Sequence, residues 1–396
     1  MKKFLFLAVA ACALLAGCAK VEKNPSPSHE IDFQAAKYLT STKADDAGTN
    51  DDGSDAGTTT TSPGVYDTEN SFGTFSIASN GATDINDDSY EDIMNNVKIS
   101  YNGDVWKAHR ESPYFWPAQG SLDFISYSPH YDTPAEGQTD SRIPTVGDDK
   151  KTLTWTGYTV KYNHKDDLMY ADKAVGLNEN KKEFAGKNTG VPTLFRHALA
   201  QVKFQFNITS DADKKYSVYI KKLILDNVYT TGNLELNLDE TDEATSDFMQ
   251  GWNLPTKNVW TNLTKEDNAY LTIETPDGVA VTTTSNCYAD DKSSTESFYV
   301  LPQGLVAKDE ATKAGQKMYV EFELRVKIKN DDGTVVKEAS VDTYKWTTYL
   351  NTLTLQSWEI NKLITYTVTF NPPFNEITFD PAVVNWSSAD DTIVFD

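Results

Sequence analysis

The chain has 396 residues, with 36 Lys and Arg against 58 Asp and Glu, so its formal net charge is −22. That balance disfavours nucleic acid and anionic lipid surfaces as partners, and the length is ample for two cores of ordinary domain size. With 20 Tyr, 18 Phe and 8 Trp beside abundant Thr and Val, the composition favours strands over helices.

Lys2 and Lys3 precede an apolar run over residues 4–15. A run of about a dozen apolar residues is too short to span a bilayer but suits the hydrophobic region of a secretory signal. Leu15-Ala16-Gly17-Cys18 resembles the lipobox of bacterial lipoproteins, in which the cysteine is acylated and becomes the new N-terminus. The plainer alternative is a signal peptide with an incidental cysteine. With residues 1–17 as the signal, Cys12 is lost, and acylated Cys18 leaves Cys287 as a single thiol without an intramolecular partner. Cys287 reads as a small residue in a strand or loop.

Residues 20–29 form a polar spacer containing prolines. Ile31, Phe33 and Ala35 then alternate with polar neighbours in EIDFQAA, which predicts a short strand over 31–36 with one buried face. Residues 44–64, ADDAGTNDDGSDAGTTTTSPG, have almost nothing to bury and read as an acidic, flexible and protease-accessible linker.

Short alternating runs follow. Val97, Ile99 and Tyr101 form one face before the turn NGD; Leu122 with Phe124, and Leu153 with Trp155, form others. Val202, Phe204, Phe206 and Ile208 alternate with Lys203, Gln205 and Asn207. Val320, Phe322, Leu324, Val326 and Ile328 alternate with charged residues up to the turn NDDG at 330–333, which predicts a hairpin. Ile364, Tyr366, Val368 and Phe370 alternate with threonines. Period-2 runs with one polar face predict antiparallel sheets, arranged as two β-sandwich domains over 65–190 and 191–396 and joined near 187–195.

A catalytic constellation is not legible. The five histidines (29, 109, 130, 164 and 197) lack metal-ligand spacing, and the chain contains no CxxC pair, GxSxG elbow or phosphate-cradling glycine loop. The expectation is a non-enzyme without metal or cofactor. Asp84, Asn86 and Asp88 begin like a calcium loop, but Ser89 stands where the turn glycine is needed and Asn95 where the bidentate glutamate belongs. Trp106 and YFWP (114–117) could form a sugar platform, and their spacing also suits a sandwich core.

The segments NSFGTFSIAS (70–79), MNNVKISYNGDVWKA (94–108), YFWPAQGSLDFISYSP (114–129), DLMYA (167–171), VPTLFRHALAQVKFQF (191–206), WEINKLITYTVTF (358–370) and ITFDPAVVNW (377–386) occur in that order. Behind the lipobox and a TKA segment (42–44), this series resembles the Bacteroidales fimbrillin family of Mfa-like, type V pilins. The resemblance implies two transthyretin-like antiparallel sandwiches in tandem and export as an outer-membrane lipoprotein with a lipid anchor at Cys18. It further implies removal of the first strand (Ile31, Phe33, Ala35) within the propeptide 18–43 by a trypsin-like protease, then donor-strand exchange with other fimbrial subunits. The family's protease usually cuts after arginine, whereas Lys37 and Lys43 are the basic sites available before Arg110. The C-terminal segment 374–396 is the candidate donor through Ile377, Phe379, Val384, Trp386, Ile393 and Phe395. Asp391-Thr392-Ile393 resembles an O-glycosylation acceptor. His197 is expected to be a hydrogen-bonded strand residue, and Trp386 a core plug. The alternative function is a surface lipoprotein that binds glycans or host proteins without polymerising.

Overall fold

The computed structural model describes residues 30–40, 61–67, 69–79, 91–111, 113–117, 120–160, 167–178, 190–237, 260–265, 271–284, 286–287, 297–306, 315–372 and 376–385. Cys18, Lys43, Trp386, Thr392, Ile393, Phe395 and residues 84–88 lie outside them, as do the side chains of Lys37, Val384 and Cys287.

The first half of the chain contributes β1 (Asp32–Thr40), β2 (Thr61–Val65), β3 (Ser71–Ser79), β4 (Glu91–Tyr101), β5 (Trp106–Ala108), β6 (Ser121–Ser128), β7 (Thr145–Val146), β8 (Thr152–Thr159), β9 (Met169–Ala171), β10 (Ala174–Leu177) and β11 (Val191–His197). Strand pairing runs β6-β3-β4-β5-β1-β11-β9, and β9 returns to β6 through Tyr127↔Tyr170 and Ser128↔Met169, closing a barrel. β10 adds to β6, and β2 adds to β1, so Thr61 to Gly64, expected as the end of the flexible linker 44–64, are instead a paired strand. Closure removes sheet edges, which is how many all-β architectures avoid unwanted pairing. Alternation fills the interior: Phe72 of β3 and Leu122 and Phe124 of β6 face the barrel core. Phe75, Ile77, Ile125 and Tyr127 on the opposite faces of the same strands join the core of the second half.

The second half contributes β12 (Ala200–Ile208), the single-turn helix α1 (Ser210–Asp213), β13 (Tyr216–Asp226), β14 (Thr231–Asn237), β15 (Trp260–Thr264), β16 (Leu271–Val281), β17 (Asn286–Cys287), β18 (Phe298–Val300), β19 (Gln303–Gly304), β20 (Lys317–Lys329), β21 (Val335–Tyr349), β22 (Ser357–Trp358), β23 (Lys362–Asn371) and β24 (Glu376–Asn385). One sheet runs β17-β12-β23-β24 with β18 also on β12, and another runs β16-β13-β20-β21. They pack face to face: Phe322 of β20 meets Phe370 of β23 with centroids 4.7 Å apart, and Trp346 of β21 meets Phe379 of β24 at 6.0 Å. A further sheet, β15-β14-β8-β7, takes β8 from the first half and β14 from the second. Trp155 of β8 is fully buried there against Tyr127, and the Trp260 Nε1–H donates to the Ala198 carbonyl at 2.9 Å.

The protein is all-β, as the composition implies. The first group of strands closes on itself, however, instead of forming two open facing sheets. A second departure is pairing direction: β1 runs parallel to β11, and β12 parallel to β23. Alternation reports which face is buried but carries no information on the direction of a partner far away in sequence. Val191 to His197 pair with β1 and β9, and Ala200 begins the strand that pairs with β23, so the chain passes between the two sheet systems inside the segment FRHALAQV. The NDDG turn forms as expected: Gly333 has φ +86°, and its N–H donates to the Asn330 carbonyl at 2.9 Å. Of the candidate sugar platform, Trp106 and Trp116 are buried in the barrel core, at 6% exposure each, while Tyr114 and Phe115 are half-buried.

Candidate assembly site

The site follows from where the sequence puts β1. Residues 41–60 separate this strand from the rest of the barrel in the chain, yet β1 is one of its staves. On one side it pairs with β11, Phe33↔Val191 through Lys37↔Phe195. On the other it pairs first with β5, Asp32↔Lys107 and Phe33↔Trp106, and then with β2, Ala36↔Val65 through Thr40↔Thr61. Just before β1, the Ile31 N–H donates to the Tyr114 carbonyl at 2.8 Å. The EIDFQAA alternation turns Ile31, Phe33 and Ala35 inward, and Ile31 and Phe33 are each only 2% exposed.

Phe33 sits edge-on to Phe72 at 5.7 Å and to Phe124 at 5.6 Å. Tyr66 spans the floor of this groove. Its ring stacks on Phe195 of β11 at 4.8 Å and meets Trp106 of β5 at 5.1 Å, so it contacts both strands that flank β1. Burial holds the Tyr66 hydroxyl far above the usual phenol range, and the group is hydrogen-bonded to the Ser128 hydroxyl at 2.6 Å. The groove therefore has an aromatic floor without charge. At its mouth Lys107 lies 3.5 Å from Glu30 and lines, with His109, Arg110 and Glu111, a cleft of about 500 Å³. The Arg110 guanidinium stacks over the Tyr114 ring at 4.3 Å.

Gly190 is a feature that the sequence reading missed, although a glycine immediately before an apolar strand is a visible signal. Its φ is +128°, and a Cβ there would lie 2.9 Å from the Asp32 carbonyl oxygen. Gly190→Ala forces β1 away from β11 or strains its own backbone. The expected loss is about 1–3 kcal/mol, with faster tryptic cutting after Lys37 than in the unsubstituted chain. Identical cutting rates, followed by mass spectrometry, would contradict this seating of β1.

Of the two candidate processing residues, Lys37 lies within β1, its backbone flanked by Phe195 and Gly64. A protease needs an extended, unpaired substrate, so a cut there requires β1 to open first. Lys43 lies beyond the end of β1 at Thr40.

The candidate donor residues Ile377, Phe379 and Val384 fall in β24, an edge strand among the described residues, paired with β23 of its own chain from Lys362↔Asn385 to Asn371↔Glu376. Ile377 and Phe379 are half-buried, with Phe379 stacked on Tyr366 at 5.0 Å. The structure thus brings Ile31, Phe33 and Ala35 together in one groove and keeps β24 apart in the other sheet system. His197 is a hydrogen-bonded strand residue, with Nδ1 2.8 Å from an Asp167 carboxylate oxygen. Among the described residues, no group of three or more His, Cys, Asp and Glu could hold a metal ion, and no helix is long and apolar enough to cross a membrane.

Comparison with known proteins gives the family. The fimbrillin-like family model matches residues 58–386. No curated protein matches the chain. Among solved structures, a fimbrial protein from Bacteroides vulgatus is similar over 80% of this chain and 92% of its own, with 19% identity and a TM-score of 0.49. The C-terminally truncated tip fimbrial protein Mfa3 from Porphyromonas gingivalis is similar over 80% of this chain and 94% of its own, with 9% identity and a TM-score of 0.33. With most of its length matched by the family model, the chain belongs to the fimbrillin-like family.

Proposed function

We propose that this chain is a structural subunit of a cell-surface fimbria that supports adhesion, exported as a lipoprotein and assembled by donor-strand exchange. In this reading Cys18 carries the acyl anchor in the outer membrane, and a trypsin-like protease cuts after Lys43 or Lys37. The freed β1 then leaves, and the C-terminal segment 374–396 of a neighbouring fimbrial subunit refills the groove. The transthyretin-like description belongs to the same reading for the second half, whose two sheets pack face to face. Family membership supports the fimbrial part. The observation that carries the exchange part is that β1 closes the barrel between β5 and β11 with Ile31 and Phe33 buried, while its only covalent link to the barrel is residues 41–60.

The physics favours exchange over an empty groove. Burying Ile31 and Phe33 contributes roughly 1.5–3 kcal/mol each, and backbone pairing adds about 1 kcal/mol per bond. A vacated groove loses all of this and exposes strand edges, and adding a strand to such an edge is an established recognition mode. No catalytic role forms part of this reading.

One observation favours the alternative of an anchored, non-polymerising surface lipoprotein that binds glycans or host proteins: β24 is already engaged with β23 in its own chain. N-terminal sequencing of protein sheared from cells separates the two readings. The fimbrial reading expects a start at Ala44 or Tyr38. A chain retained with a blocked Cys18 contradicts processing and leaves the anchored binder.

A further inference from the structure

Residues 30–36 read EIDFQAA and residues 376–382 read EITFDPA. Glu, Ile, Phe and the final Ala recur at the same positions, and the residues that differ are Asp32/Thr378, Gln34/Asp380 and Ala35/Pro381. The repeat copies what the groove demands. Glu30 meets Lys107, while Ile31 and Phe33 fill the aromatic interior. We infer that residues 376–382 of a second copy of this chain replace residues 30–36 in the same direction and register. Ile377 then takes the place of Ile31, Phe379 that of Phe33, and Glu376 that of Glu30 beside Lys107. The inference rests on the donor-strand reading above and adds to it which segment is donated and how it aligns.

Three features of the two strands agree with it. First, β24 is paired on one edge only, with β23, and no strand covers its other edge among the described residues. A strand in the β1 position is paired on both edges, with β11 on one side and β5 and β2 on the other. The same segment therefore gains a second set of backbone partners by moving. Second, Ile377 and Phe379 are half-buried in β24, whereas Ile31 and Phe33 are buried in the barrel. Transfer takes more apolar surface out of water, which drives the exchange in one direction. Third, Pro381 falls where Ala35 sits, and positions 34 and 35, aligned with Pro192 and Thr193 of β11, lie on the other side between the residues paired with β5 and those paired with β2, with no partner strand on that side among the described residues. A proline is tolerated where no ladder bond is required. Lys107, left without Glu30 once β1 departs, regains a carboxylate from Glu376.

The register is read by disulfide trapping. Because Asp32 pairs with Lys107, this alignment puts Thr378 opposite Lys107. One chain carries Thr378→Cys and the other Lys107→Cys, both with Cys12, Cys18 and Cys287 replaced by Ser, and the two are mixed after limited trypsin and mild oxidation. The expected result is a disulfide-linked dimer as the main product. Val394→Cys, which would face Lys107 if the terminal DTIVFD entered instead, should give only a trace with the same partner. As a second measurement that alters no groove residue, deletion of residues 388–396 should leave oligomer formation unchanged. Trapping from Val394, or loss of oligomers on that deletion, overturns this register while leaving donor-strand exchange standing. If the unsubstituted cut chain forms no oligomers at all, both the register and the donor-strand reading fall.

Discussion

Replacing Ile31 and Phe33 together by Asp should lower the stability of the uncut chain by about 5 kcal/mol. Both side chains are 2% exposed, and Phe33 packs edge-on against Phe72 and Phe124. Two carboxylates cannot stay in that interior at neutral pH, because desolvating an unpaired charge costs more than the whole strand contributes. The strand leaves the groove instead, so the loss measured is the free energy of docking β1. The remaining protein has a barrel open between β5 and β11, with Tyr66, Trp106 and Phe195 facing water. Denaturation of the variant should show an early step belonging to the first half, while the second-half core of Phe204, Phe322 and Phe370 melts near its usual temperature. A shift of the first transition by less than about 2 °C would mean that residues 30–36 serve as a tether and not as a stave of the barrel.

Much of this was readable from alternation. Val202, Phe204, Phe206 and Ile208 point into the core as the pattern implied, and so do Leu122, Phe124, Leu153 and Trp155. The inward set Ile31, Phe33 and Ala35 was legible for the same reason, although the strand runs on to Thr40. The pattern misled at the end of β20. Val326 and Ile328 continue the alternation, yet Ile328 is 43% exposed, in the end of the β20–β21 hairpin that runs past β13, whose pairing with β20 stops at Tyr216↔Val326. Periodicity registers a potential inner face without showing whether anything covers it. Three further features depend on contacts distant in sequence and leave no local mark: the closure of β9 onto β6, the parallel seating of β1 on β11, and the sheet that joins β8 to β14. Ile377 and Phe379 of the candidate donor segment pack against the second-half core from β24, with the same alternation that a neighbour's groove would accept. The sequence alone does not distinguish those two partners.

Cutting the chain between β1 and the barrel should convert a monomer into a polymer. While intact, residues 41–60 hold β1 at an effective concentration of order millimolar, and no neighbour competes well against a tethered strand. Cleavage after Lys43 leaves the strand bound by non-covalent contacts alone, and once it dissociates it is diluted. A neighbour's C-terminal segment, carried on a whole subunit, then has the advantage, and each exchange presents a new groove and a new donor. Removal of residues 376–396 should leave a protein that accepts a strand but donates none, with oligomers lost and the second-half core only modestly weakened, since β24 is an edge strand with half-buried side chains. The most direct measurement is limited trypsin treatment of the folded chain, with cleavage sites fixed by mass spectrometry and products run unheated in SDS. The account predicts a ladder of SDS-resistant oligomers appearing only after the cut at Lys43 or Lys37; a chain cut at either site and stripped of β1 that stays monomeric would contradict it.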